Sequence, residues 1–232
     1  MKYFFINKNL PNEIKRNLSF FGECIPLPEF KKLPFPVSLH PDMLIAEIGG
    51  NLFIHEEYRE GQTLLSSLGI PFFISHTPVF EKYPGDIRLN CFCMGNYFVS
   101  NEKYISAEAL RFAKQTGFRP ISVSQGYAKC SCAIAGGALA TADRGIEKVL
   151  RKAGADVLLL APHSIGIDIY NTGFIGGASV LLDEQTLGFF GNIEAFGQYE
   201  ALRDFFCCHG ISLVSLSDTP LFDYGGAVSF SL

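Results

Sequence analysis

The sequence predicts an α/β propeller of five ββαβ blades. Three observations carry this expectation: a helix–glycine–strand phrase occurs five times, four of those phrases follow a pair of hairpin-like strands, and joining the two chain ends supplies the fifth pair.

The first phrase runs from Asn12 to Phe21, where Ile14, Leu18 and Phe21 share one helical face and Gly22 is the expected stop before the strand-like ECIPLP. QTLLSSLG then ends at Gly69 before IPFFIS, and SAEALRFAKQTG, with Ser106 as its cap, ends at Gly117 before FRPISVS. DRGIEKVLRKAG carries a stripe of Ile146, Val149, Leu150 and Ala153 and stops at Gly154 before ADVLLLA. QYEALRDFFCCHG stops at Gly210 before ISLVSLS. The five glycines recur at intervals of 47, 48, 37 and 56 residues, against about 46 for one fifth of a 232-residue chain.

Ahead of the later helices stand HPDMLIAEIGGNLFIHEEY, DIRLNCFCMGNYFVSNEKY, KCSCAIAGGALATAD and GFIGGASVLLDEQTLGFFG. Each reads as a strand, a turn and a second strand. The glycine pairs 49–50, 136–137, 176–177 and 225–226 mark tight turns or close backbone approach. No such pair precedes the first helix, but YGGAVSFSL at the C-terminus and KYFFIN at the N-terminus form one when joined. Residues 1–232 are therefore expected to form a single domain whose split blade closes the ring and leaves no edge strand.

Hydrophobic residues make up 48% of the chain and charged ones 18%, enough apolar material for a sizeable core. No apolar run reaches the ~18 residues of a spanning helix, and MKYFFINKNLPNEIKR turns polar too soon for a signal peptide, so a cytoplasmic protein is expected. The net charge of −4 with scattered lysines offers no footprint for nucleic acid or an anionic membrane, which points to a small-molecule substrate. Nothing in the sequence specifies an oligomer. The seven cysteines are an odd number, expected to be reduced, and neither they nor the five histidines fall at zinc-site spacing; no disulfide, metal or cofactor is expected.

Four short segments carry a resemblance. LFDYGG places Asp223 before a glycine pair, HPDM places His40 two residues before Asp42, GDIRLNCF carries Asp86 and Asn90, and GYAKCSCAI places Cys130 at the start of an apolar strand. Taken with the repeats, they resemble the pentein fold of guanidino-group-modifying enzymes, circularly permuted. That group includes arginine deiminase, agmatine deiminase, dimethylarginine dimethylaminohydrolase and arginine:glycine amidinotransferase. The resemblance implies Cys130 as nucleophile, His40 as acid–base and Asp223 as its orienting carboxylate. Asp42, Asp86 and Asn90 are the implied substrate-binding groups. It implies no cofactor. Gly176 and Gly177 stand where the resembling hydrolases carry acidic residues that grip a guanidinium, so poor turnover of free arginine is expected.

The chemistry asks for these residue types. A thiol is mostly protonated at neutral pH and needs a base or a positive field, and a departing amine needs a proton; one histidine backed by a carboxylate serves both steps. Each residue also has a structural alternative at this level: a buried strand cysteine for Cys130, a backbone-bonded turn for His40, and turn caps for Asp42 and Asp223. Cys132 shares a face with Cys130 if the strand is regular. A thiol-dependent hydrolase or transferase acting on a small amidine-like or amide-like substrate is the leading expectation. A non-catalytic pentein that binds a macromolecule, as the ribosome anti-association factor of this fold does, is the alternative.

Overall fold

A computed structural model describes residues Met1–Leu232. The elements are β1 (Lys2–Asn7), α1 (Asn12–Leu18), β2 (Glu23–Leu27), α2 (Pro41–Leu44), β3 (Ile45–Ile48), β4 (Asn51–His55), α3 (Arg59–Ser67), β5 (Phe72–Ser75), β6 (Phe92–Met94) and β7 (Tyr97–Ser100). They continue with α4 (Ala107–Gln115), β8 (Arg119–Ser122), β9 (Cys132–Ala135), β10 (Ala138–Thr141), α5 (Arg144–Lys152), β11 (Asp156–Leu159), β12 (Ser179–Asp183), β13 (Thr186–Phe189), α6 (Tyr199–Cys207), β14 (Ser212–Ser215) and β15 (Val228–Ser231). The strands form five three-stranded sheets, β15-β1-β2, β3-β4-β5, β6-β7-β8, β9-β10-β11 and β12-β13-β14.

Every sheet follows one rule. The first two strands are an antiparallel hairpin, and a helix carries the chain to a third strand parallel to the second. In the remaining sheet the hairpin comes from the two ends, with Lys2 opposite Ser231 and Phe5 opposite Val228. This is the five-bladed α/β propeller expected from the repeats.

Helix ends explain the regularity. Gly69, Gly117, Gly154 and Gly210 all have positive φ, and the next amide reaches back five residues, as in Ile70 to Leu65 and Phe118 to Ala113. Ser106 caps α4 by accepting from the Ala109 amide. The first helix departs from expectation: it ends at Leu18 rather than Phe21. Gly22 is not a left-handed stop there; it passes under β1, where a Cβ would lie 2.7 Å from the Lys2 carbonyl oxygen.

The first strand of each sheet faces the axis. β3 neighbours β15 and β6, and β12 neighbours β15 and β9. A cavity of about 140 Å³ runs between them, bordered by Asp42 and Lys129 just ahead of β3 and β9 and by Glu47, Cys93, Ser179 and Ser229 farther along. The core is divided between blades. On β1, Phe5 packs with Ile45, Ile54 and Leu65 of the next blade, whereas Phe4 packs on the opposite side with Val180, Leu182 and Phe190 of the preceding one. The terminal blade is thus glued on both faces. Phe5→Ala should cost roughly 3–5 kcal/mol in urea unfolding; a loss below about 1 kcal/mol would contradict the placement of β1 between two cores.

Candidate active site

His40 closes the 3₁₀ turn Val37–Leu39 in an extended conformation (φ −80°, ψ 114°), and Pro41 starts α2. That single helical turn directs Asp42 and Met43 into the interior. Asn90 lies just ahead of β6, and Cys130 sits in a turn closed by the Ser131 amide on the Tyr127 carbonyl at 3.0 Å and the Cys132 amide on the Lys129 carbonyl at 3.2 Å. Asp223 is fixed through its own amide, which donates to the Gly166 carbonyl at 2.7 Å.

The fold gathers these groups from separate blades. Asn90 Nδ2 lies 3.0 Å from Cys130 Sγ and 3.1 Å from the Asp42 carbonyl, while Asn90 Oδ1 accepts from the Lys129 amide at 2.8 Å. His40 Nδ1 is 3.8 Å from Asp223 Oδ1, an ion-pair rather than a hydrogen-bond distance. Asp223 accepts from the amides of Phe174 (2.8 Å) and Gly225 (2.9 Å), so it serves a turn and faces the imidazole as well. Asp86 accepts from the Tyr127 hydroxyl at 2.6 Å. Cys130, His40, Asp42 and Asp223 are 4%, 3%, 3% and 2% exposed, so the thiol sits beneath the surface and not at an open channel mouth. Cys132 does not share its surroundings. The turn at Cys130 breaks strand alternation, and Cys132 packs with Val99 and Leu139 in another part of the core.

Gly176 and Gly177 play a role other than vacant acid positions. A Cβ on Gly176 would lie 2.4 Å from the carbonyl oxygens of Lys129 and Cys132, and one on Gly177 would lie 1.9 Å from Asp223 Oδ1. The pair is where the Cys130 turn meets the Asp223 loop, the close backbone approach expected of these glycine pairs. Sequence reasoning also passed over Tyr127, Lys129 and Phe174; the proximity of Tyr127 and Lys129 to Cys130 in the chain was the only local signal.

Burial sets the electrostatics. It lowers the His40 imidazole to about 4, leaving it neutral and able to accept a proton. It raises Asp42 to about 7, helped by the charge of Asp223, and raises Asp223 to about 6. It also drives the Cys130 thiol well above its ordinary range, with Asp42 and Asp223 adding to the effect. Both carboxyl oxygens of Asp42 and Oδ1 of Asp86 are buried with no N–H or O–H partner, and the Cys130 thiol lies near enough to Asp42 to interact with it. Burying a carboxyl with so few partners is unfavourable. At neutral pH the site holds a protonated thiol, a neutral base and a carboxyl near its midpoint.

A ring of five ββαβ blades gives the chain the pentein fold, the fold found in guanidino-group-modifying enzymes. The chain belongs to the family of unknown function DUF6873, whose pattern matches residues 5–228. No curated protein matches it in sequence. Among solved structures it is similar to a mutant dimethylarginine dimethylaminohydrolase from Pseudomonas aeruginosa complexed with citrulline, at TM-score 0.55 and 11% identity over 99% of this chain and 98% of that one. A dimethylarginine dimethylaminohydrolase mutant adduct with S-methyl-L-thiocitrulline gives TM-score 0.55 and 12% identity over 99% of each chain. SxtG, an amidinotransferase from Microseira wollei in the saxitoxin biosynthetic pathway, gives 0.52 and 10% over 89% of this chain and 76% of that one. No helix is long and apolar enough to cross a membrane.

The raised Asp42 carries a stability signature. An unfolded aspartate titrates near 3.9, so between about pH 4 and 7 the folded chain holds the extra proton and loses stability as pH rises. Asp42→Asn removes that penalty but leaves an unsatisfied amide. It should stabilise the protein by about 1–3 kcal/mol at pH 8, a gain that shrinks toward pH 5. Denaturant titrations at both pH values check this; destabilisation at pH 8 would contradict it.

Proposed function

We propose that this pentein is a cysteine-dependent hydrolase or transferase acting on a C–N bond of a small amidine or guanidine through a covalent intermediate on Cys130. The observation that carries the reading is the pair of Asp42 oxygens with no N–H partner, buried beside the Cys130 thiol, with a neutral His40 facing Asp223. A planar cation with paired N–H donors is the ligand such a carboxylate suits. Structures of similar fold hold citrulline or form an adduct with S-methyl-L-thiocitrulline, and another is named an amidinotransferase, which supports chemistry at a C–N bond of this kind.

In this reading the amidinium donates to Asp42 Oδ1 and Oδ2, and Asp86 Oδ1 takes a further N–H. Its charge offsets the two carboxylates that hold the thiol proton in place, lowering the thiol pKa when substrate is bound. His40 accepts the proton as Sγ attacks the central carbon, giving a tetrahedral adduct. Collapse breaks the C–N bond, with the amine leaving on the proton from His40. Water, deprotonated by His40, then attacks the thioester-like carbon and releases the thiol, so one water replaces one amine; an amine acceptor in its place gives transfer. Asp223 orients the imidazole and stabilises its cationic form.

Alkylation of Cys130 tests the reading, with exposed Cys207 and Cys208 as internal controls. Normalised to those controls, chloroacetamidine should modify Cys130 at least about tenfold faster than neutral chloroacetamide, because the cation is drawn to the carboxylates. Asp42→Asn should erase the preference and His40→Ala should slow the reaction near neutral pH. Peptide mass spectrometry reads all three. A Cys130 rate indifferent to probe charge and to His40 would leave it an ordinary thiol and favour the binding-protein alternative.

A further inference from the structure

The groups around the site also select what else a substrate carries. The loop before β6 and the turn before β9 bring three rings together. Tyr83 lies 5.7 Å from Tyr127 and Tyr127 lies 6.0 Å from Phe174, centroid to centroid. This row spans the site, because the Tyr127 hydroxyl bonds Asp86, Tyr127 stands three residues before Cys130, and the Phe174 amide bonds Asp223. Tyr83 is 52% exposed, and on the loop that leads to Phe174 Ile169 and Tyr170 are 72% and 50% exposed. Gly126 lets Tyr83 lie flat on the turn, since a Cβ there would be 2.5 Å from its ring.

The basic groups nearest the row are committed or aimed elsewhere, except Lys82 on its outer loop. Arg88, two residues from Asp86, is committed to backbone: its Nε donates to the Pro78 carbonyl at 3.0 Å and a terminal nitrogen to the Tyr104 carbonyl at 2.8 Å. Lys129 borders the axial cavity, where its field falls on Asp42 and Asp223. Lys82 lies exposed on the loop of Tyr83. The molecule's Lys–acid and Arg–acid pairs all lie elsewhere, leaving Asp42, Asp86 and Asp223 without a lysine or arginine partner.

We infer that the substrate is a monocation bearing an aromatic or alkyl group and no carboxylate. This rests on the amidine reading above and narrows it. The Asp42 and Asp86 oxygens with no N–H or O–H partner take the cationic head, and the Tyr83–Tyr127–Phe174 row takes the apolar remainder. A carboxylate held near the head group meets three acidic side chains, none of them ion-paired to a lysine or arginine, so the site disfavours it by repulsion.

Three matched probes separate the two claims: acetamidine, benzamidine and 4-amidinobenzoate, titrated calorimetrically into the full-length protein at pH 8. Acetamidine tests the head group alone. Benzamidine should bind roughly tenfold tighter than acetamidine, 4-amidinobenzoate roughly tenfold weaker than benzamidine, and Tyr83→Ala should lower the affinity for benzamidine but not for acetamidine. If none of the three binds wild-type protein, the amidine reading falls. If acetamidine binds and benzamidine is no tighter, or 4-amidinobenzoate matches benzamidine, the amidine reading stands and the carboxylate-free apolar substrate is overturned.

Discussion

The backbone of Gly176–Gly177 is pressed between two parts of the site, and the arrangement exists because nothing projects from it. The Gly177 amide donates to the Cys130 carbonyl at 3.1 Å, and the Gly177 carbonyl accepts from the amides of Tyr224 and Gly226 at 3.1 and 2.7 Å. Two residues therefore tie the cysteine turn to the Asp223 loop. A methyl group at either position would land on backbone carbonyls or on the Asp223 carboxyl. Gly225 makes a second such contact, its position leaving no room between the loop and His40. Close approach excludes water, and exclusion of water sets the chemistry.

In that dry environment burial shifts each titratable group toward its less charged form. The thiol keeps its proton, the imidazole loses its own, and Asp42 rests near half protonation. On the proposed reading, a cationic ligand would complete a site whose carboxylates lack an ion-pair partner among the lysines and arginines, and the Asp42 that would recognise it is the group whose burial weakens the empty fold. Activation of the thiol would then be coupled to recognition, because the charge filling the site would also let the thiol ionise.

Much of this was legible in the sequence where the signal was local. Glycines that end helices, the Gly49–Gly50 hairpin and the repeating helix–glycine–strand phrase depend on neighbouring residues alone, and they revealed five blades. HPDM and DIRLNC also drew attention to Asp42, Asp86 and Asn90, which the structure buries, with Asn90 beside Cys130. Legibility failed where a residue answers to something distant in the chain. Gly22 is shaped by Lys2, so the end of α1 was misplaced; the close approach expected at Gly176–Gly177 is present, but its partners, the Cys130 turn and Asp223, lie far off in the chain and could not be read locally. Cys130 and Cys132 seemed equivalent on a regular strand, but a turn at Lys129–Cys132 separates their environments. Nothing local could show that the Tyr127 hydroxyl reaches Asp86.

The central claim is that Cys130 is a neutral thiol at rest and ionises when a cation occupies Asp42. Thiolate absorbance near 240 nm, taken at pH 7.5 as the difference between wild type and Cys130→Ala, tests it directly with and without saturating acetamidine. The account predicts no Cys130 thiolate in the empty protein and a clear rise on adding the cation, abolished in Asp42→Asn. A thiolate already present without ligand, or none with it, would contradict the account.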